Sequence, residues 1–194
     1  VRAKRTLAAA RVPFEVPRAA ERARRLDAVL EVVYLVFNEG YSTHAGAATQ
    51  HVELAVEAIR LAQLLAGLMP DEPEVMGLLA LMQLHHARSA ARCTEAGELV
   101  PLEAQDRTRW DREAIAEGAA LAEAALRLRG FGAFALQAAI AALHAEAVQA
   151  AATDWPQIVG LYDALLRVEP NPVVALNRAV AVAMHQGPAA GLAI

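Results

Sequence analysis

The stretch "LEAQDRTRWDREAIAEG", Leu102 to Gly118, crowds charged side chains around one tryptophan. Asp106, Asp111 and Glu113 are carboxylates, and paired carboxylates can do general acid–base work. Arg107, Arg109 and Arg112 stand among them, and neighbouring guanidiniums hold carboxylates ionised, which removes them as proton donors. At helical spacing Asp106 reaches Arg109 three residues on, and Arg109 reaches Glu113 four residues on, which makes a ladder of surface pairs. Asp106 also has the side chain of a helix cap. Trp110 then reads as an anchor between helices, with an indole N–H in need of a partner. Two other uses stay open. Asp106, Arg107, Arg109, Trp110, Asp111 and Arg112 could face a protein partner. Alternatively, the region from Asp106 to Glu113 could be a small-molecule or enzymatic site with Trp110 stacked on the ligand.

The remaining reactive residue types give no site. His85 and His86 are adjacent, so on a helix they point about 100° apart and do not share an ion. His44 and His51, with Glu53 and Glu57 near them, lack the spacing of a zinc-binding helix. All six histidines read as surface residues. "RGFGAF" has neither the lysine nor the strand-to-helix setting of a phosphate loop. Ser42 and Thr43 beside His44 sit in no nucleophile elbow, and the single cysteine, Cys93, has no nucleophile signature around it. The expectation is a chain that is not an enzyme, with no catalytic residue, no metal and no cofactor.

The elements that must position these residues are helical. The 194 residues are 56% hydrophobic but only 5% aromatic, so alanine, leucine and valine supply the apolar surface. That balance favours closely packed helices over a sheet. No apolar run approaches the roughly 20 residues of a membrane span, and one cysteine fits a reducing compartment. The expectation is a cytoplasmic protein without a membrane partner. The net charge of −4 is uneven. Residues 1–25 hold eight basic and two acidic side chains, whereas the remainder holds ten basic and twenty acidic. Only the basic arm suits an approach to phosphates.

Apolar residues at spacings of three and four predict helices over about 18–37, 51–68, 72–91, 106–129, 133–151, 155–168 and 173–185. Asn38 and Gly40 supply the end of the first, and Asp71 the cap of the third. "VPFEVPRA" between Pro13 and Pro17 is an extended connector. "AAGLAI" opens a further helix. Short loops make consecutive helices antiparallel. From Ala139 and again from Val173 the chain has the register of a tetratricopeptide unit of about 34 residues. Pro170 closes one second helix, and Gly187 stands where the inter-helix turn needs a glycine. The fold class is all-α, antiparallel hairpins stacked into a tetratricopeptide-like array.

Seven stretches, in order, carry a family resemblance: "RAKRTLAAARVPFEVP", "EVVYLVFNEGYS", "LMPDEPEVMGLLALMQLHHAR", "QDRTRWDREAIAEG", "ALQAAIAALHAEA", "DWPQIVGLYDALL" and "PNPVVALNRAVAVA". Together they resemble the extracytoplasmic-function RNA polymerase sigma factors that carry a C-terminal, tetratricopeptide-like extension. The resemblance implies that residues 1–17 are the tail of the helix-turn-helix DNA-binding region with its linker, and that 18–194 are the extension. It implies a regulatory and interaction role in transcription initiation. Core polymerase and promoter DNA would be partners of the full-length factor, and other sigma domains or a regulator would be partners of this part. The chain departs from the family pattern at Ala104, where an acid is usual, and in "HVELAVEAIRL", which lacks the usual Arg and Cys or Leu. The inner groove of such an array points to Asn177, Arg178 and Ala181. Asn38, Glu39 and Tyr41 form a second polar cluster.

Overall fold

The computed structural model describes residues 5, 6, 9, 19–41 and 48–194. Of residues 1–18, which hold the connector and most of the basic arm, only 5, 6 and 9 lie within that range, and Ser42, Thr43 and His44 lie outside it. The described chain is all-helical and its eight α-helices pack against one another as an array. They are α1 (Ala19–Tyr41), α2 (Ala48–Leu68), α3 (Pro73–His86), α4 (Arg112–Arg127), α5 (Ala133–Glu146), α6 (Trp155–Val168), α7 (Pro172–Gln186) and α8 (Pro188–Leu192). Neighbours pair as hairpins: α1 with α2, α3 with α4, α5 with α6, and α7 with α8. The two units legible in the sequence thus correspond to the last two of four hairpins among the described residues. At the turn of the last one, Gly187 takes a φ of 98°, a left-handed conformation that glycine adopts without a side-chain clash.

The apolar periodicity explains which face each outer helix buries. On α1, Leu30, Val33 and Phe37 fall at three- and four-residue steps and are buried, while Val32 and Leu35 lie on the opposite face and Val29 at the edge of the buried stripe, all three exposed. The helix runs four residues past the predicted stop, because Asn38 and Gly40 continue it and Gly40 is itself buried. On α2 the inward stripe is alanine: Ala55, Ala58 and Ala62 are covered, and Val56, expected inside, is half exposed. Small side chains let α2 lie close against α1 and α3.

Helices α3 and α5 form the centre. Nine of the fourteen residues of α3 are buried, so it has no solvent face to speak of. Its first residue is Pro73, which lacks the N–H that a cap would otherwise have to satisfy. The N-cap is Glu72, without a side-chain bond, and not the predicted Asp71. The helix also ends earlier than predicted, at His86, and is followed by a short 3-10 turn at Ser89–Ala91. A Cβ added at Gly77 would sit 2.4 Å from the Ala135 nitrogen and 2.6 Å from its Cα, so the α3 and α5 backbones touch there. Gly118 of α4 instead makes room for a side chain, since a Cβ there would sit 2.9 Å from Leu84 Cγ of α3.

Glu74 completes the α3–α5 contact. Its carboxylate accepts hydrogen bonds from the backbone N–H groups of Gly132 (2.8 Å), Phe134 (2.9 Å) and Ala135 (3.1 Å). Those are the orphan donors that open α5, whose own N-cap is Gly132 with no side chain to use. The cap therefore comes from the neighbouring hairpin.

Gly77→Ala should lower the unfolding free energy in urea by about 1–3 kcal/mol, because backbone atoms cannot move aside for the new methyl. Gly160 lies in mid-α6 with open space around it, so Gly160→Ala should instead stabilise by about 0.5–1 kcal/mol.

Candidate functional site

The charged stretch is not one helix. Residues Arg107–Arg109 form a 3-10 turn, and α4 begins only at Arg112. Asp106 caps the short turn, accepting from the Thr108 N–H (3.0 Å) and the Thr108 hydroxyl (2.7 Å). Those bonds, more than the charge of Arg109, hold its carboxyl below the usual range. Asp111 is the cap of α4, accepting from the Ala114 N–H at 3.0 Å. The predicted ladder is therefore corrected. Asp106, Arg109 and Glu113 do not share a helix, and among the described residues neither Asp106 with Arg109 nor Arg109 with Glu113 forms an ion pair.

The residue that sequence reasoning undervalued is Arg107. It is buried, and its Nη1 donates to the carbonyl oxygens of His144 (2.8 Å) and Ala147 (2.7 Å), at the C-terminus of α5. Its guanidinium lies 4.4 Å from the centre of the Trp110 ring, with Arg88 at 5.8 Å and Arg112 at 5.9 Å. Arg112 reaches the Arg107 carbonyl at 3.3 Å and the Ala145 carbonyl at 3.5 Å. Trp110 is 3% exposed and packs with Leu84, Ala87, Ile115 and Ala142, so it is an anchor between helices. A ligand could stack on its Arg107 face only by displacing that guanidinium. Its Nε1–H is buried without the partner that the sequence reading expected. Burial, then the charges of Arg112 and Arg88, push the Arg107 pKa down.

A second feature is a cleft lined mainly by first helices of the hairpins. A cleft of about 380 Å³ takes Leu81 and His85 from α3, Gln137, Ile140 and His144 from α5, and Val174 and Asn177 from α7. Tyr162 of α6 adds a hydroxyl whose pKa is raised by burial. Gln137 and Glu169 also border a neighbouring cleft of about 400 Å³ that includes Asp27, Glu31 and Glu74. Through these two shared residues the clefts adjoin as a groove, with an acidic end on α1 and a basic end around Arg88.

The histidines at the basic end are not surface residues, which corrects the sequence reading. His85 Nδ1 lies 2.8 Å from Arg88 Nη2. A guanidinium only donates, so Nδ1 accepts and the proton sits on Nε2. Burial, then the charges of Arg88, Arg92 and His144, push the His85 pKa to about 3. Burial, then Arg88 and Arg107, push that of His144 to about 4. Both rings are neutral at pH 7. No adjacent pair in the sequence signals this, because His144 lies far along the chain.

The other predicted site residues scatter. Asn38 is half-buried and Glu39 exposed near the end of α1, and the side chain of Tyr41 lies outside the described residues. Asn177 faces the cleft, but Arg178 turns away and pairs with Asp163 of α6 at 2.5 Å. Ala181, expected in the groove, is 1% exposed and packs among Leu136, Ile158 and Leu165. Among the described residues, no three of His, Cys, Asp and Glu gather as a metal-binding group.

Residues 25–126 match the model of a family of unknown function, DUF6596. The whole chain is also similar to an uncharacterized protein of Rhizobium meliloti (strain 1021), with 52% identity over 193 residues. The chain spans 46% of the length of that relative. No solved structure matches it.

Arg107→Ala should cost about 2–4 kcal/mol of stability in chemical denaturation, through two unsatisfied carbonyls and a lost ring contact. Arg107→Lys should recover little of it, since an ammonium lacks the flat fork. Acidification has a defined sign. The unfolded chain protonates its histidines near pH 6.5, whereas the folded chain resists until about pH 4 for His144 and about 3 for His85. Stability should therefore fall between these limits, by up to about 1.4 kcal/mol per pH unit for each ring. Melting temperatures of His144→Gln should decline less steeply over that window than those of the parent chain.

Proposed function

The chain belongs to the DUF6596 family, and we propose that it serves as a non-enzymatic regulatory and interaction domain of an RNA polymerase sigma factor. The ordered sequence resemblance supplies the transcriptional context. More than half of the Rhizobium relative lies outside the shared segment, which leaves that protein room for the polymerase- and promoter-binding domains of a sigma factor. On this reading residues 1–17 are the tail of the DNA-binding region and the rest is the extension. The cytoplasm is the compartment that transcription requires.

The observation that carries the interaction role is the pair of adjoining clefts along the first helices of the hairpins, which share Gln137 and Glu169 and together make a groove. Asp27 and Glu31 of α1, Gln137 of α5 and Asn177 of α7 line its length. Helical arrays use such faces to hold an extended segment or a helix of a partner. In the full-length factor the occupant is another sigma domain or a regulator, and the contact supports or controls initiation by core polymerase at its promoter. The crowd around Trp110 belongs to the scaffold in this reading, and the groove carries recognition.

Reporter transcription from a cognate promoter, driven by the full-length factor, should fall by about fivefold for Asn177→Ala combined with Gln137→Ala, the equivalent of about 1 kcal/mol of contact energy. Asp163→Ala breaks the ion pair to Arg178 without touching the groove, and should leave output unchanged. Full output from the double variant, with its melting temperature intact, would sink the groove assignment.

A further inference from the structure

The cleft at the basic end of the groove has the size of a small-molecule site. Ligand pockets run to about 300–1,000 Å³, mostly apolar with a few convergent polar groups. This one holds about 380 Å³. Leu81, Ile140 and Val174 give it an apolar wall, and Gln137, Tyr162 and Asn177 give it neutral polar groups. The charges that act on its two histidines, from Arg88, Arg92 and Arg107, are positive, in a chain whose net charge is −4. The first carboxylate along the wall is Glu169, which takes a hydrogen bond from Asn171 at 3.3 Å and leads into the acidic end. A bound anion would be drawn to the Arg88 end and repelled from the other.

We propose that the cleft between α3, α5 and α7 binds a small organic anion, a carboxylate or phosphate carried on an apolar body. The charged head lies toward Arg88, His85 and His144, and the body lies on Leu81, Ile140 and Val174. Arg88 is held in place for this by its bond to the His85 ring and by the Leu84 carbonyl, to which its Nε donates at 3.4 Å. Proton binding is coupled to occupancy. The groups that face the two rings are Arg88, Arg92 and Arg107, together with the Trp155 ring 5.2 Å from that of His144, and Tyr162 and Glu169 along the cleft. A negative charge placed among them relieves the repulsion that keeps the rings neutral. Binding therefore takes up protons, and affinity strengthens as the pH falls. The inference stands apart from the transcriptional reading, because it concerns a ligand titrated into the chain alone.

Calorimetric titration of the chain with octanoate and with phenyl phosphate tests it, with octanamide as the uncharged counterpart. At least one of the two anions should bind saturably, and which one does identifies the head group. Octanamide should bind at least about tenfold more weakly. The anion should bind several-fold more tightly at about pH 6 than at about pH 8, with heats that depend on the buffer in the sense of proton uptake. Arg88→Gln removes the charge, and Asn177→Trp puts a large side chain on the cleft wall at a residue outside the bonds of Arg88 to His85 and Leu84. Each should weaken binding by at least about tenfold. Asn177→Trp keeps the test decisive if Arg88→Gln fails to fold. The site is overturned if neither anion binds saturably at either pH, if octanamide binds as tightly as the tighter-binding anion, or if folded Asn177→Trp binds as the parent chain does.

Discussion

Helix α5 cannot finish itself, and the array depends on how it is finished. Its sequence, "AFALQAAIAALHAE", offers no Ser, Thr, Asp or Asn at the start and no left-handed glycine at the end. A buried helix end without partners leaves several N–H and C=O groups unsatisfied, at about 1–3 kcal/mol each. Glu74 supplies the first end from α3, and Arg107 supplies the last from the loop before α4. Both are charged, so the bonds are of the stronger, charge-assisted kind, and the helix dipole favours each at its own end. The Glu74 partners lie 58 to 61 residues along the chain and those of Arg107 lie 37 and 40, so the middle hairpins complete one another. The bare backbone contact at Gly77 is what brings Glu74 within reach.

The second end of that helix explains the cationic knot. Arg107, its guanidinium over Trp110 and its Nη1 on the His144 and Ala147 carbonyls, meets carbonyl dipoles and a ring face in place of a carboxylate. Arg88 and Arg112 crowd the same ring, and their repulsion is one cause of the depressed Arg107 pKa. A histidine beside such a cluster stays neutral. Burial is the first cause at both His85 and His144, and the charge of Arg88 adds to it. His85 also accepts from Arg88. The cations gathered at the cap of α5 thus reinforce what burial already does.

The parts legible in the sequence are those governed by short-range rules. The two-faced helices α1, α2, α6 and α7 show their periods, and the last two hairpins show their register through Pro170 and Gly187. Period fails for α3 and α5, which are apolar on nearly every side, so it gives their existence but not their partners. The ladder from Asp106 to Glu113 was misjudged for a local reason. Thr108 captures the Asp106 side chain and Asp111 starts the helix, which leaves the preceding residues in a 3-10 turn. The long-range caps and the buried histidines were out of reach, since Glu74 and Arg107 look like any surface charge until their partners are known. Arg178 and Ala181 show the same limit, because adjacent helical positions diverge by about 100°.

The residues that hold the array together and those that line its groove are largely different sets. Glu74, Gly77, Arg107 and Trp110 face neighbouring helices, whereas Gln137 and Asn177 face the cleft. A substitution at either of the latter changes what the groove presents without loosening a helix end. Glu74, Arg88 and His144 are the exceptions, and Glu74 both caps α5 and borders the acidic cleft. Arg88 lines the cleft and also crowds Trp110, while the His144 ring borders the cleft as its carbonyl accepts from Arg107. Charge or ring displacement at these two positions acts directly on the cap of α5, and through that cap on the docking of α5 against α3 and α4. The groove and the scaffold meet there and at Glu74, at the two ends of α5, which is where an event in the groove has a mechanical route into the rest of the fold.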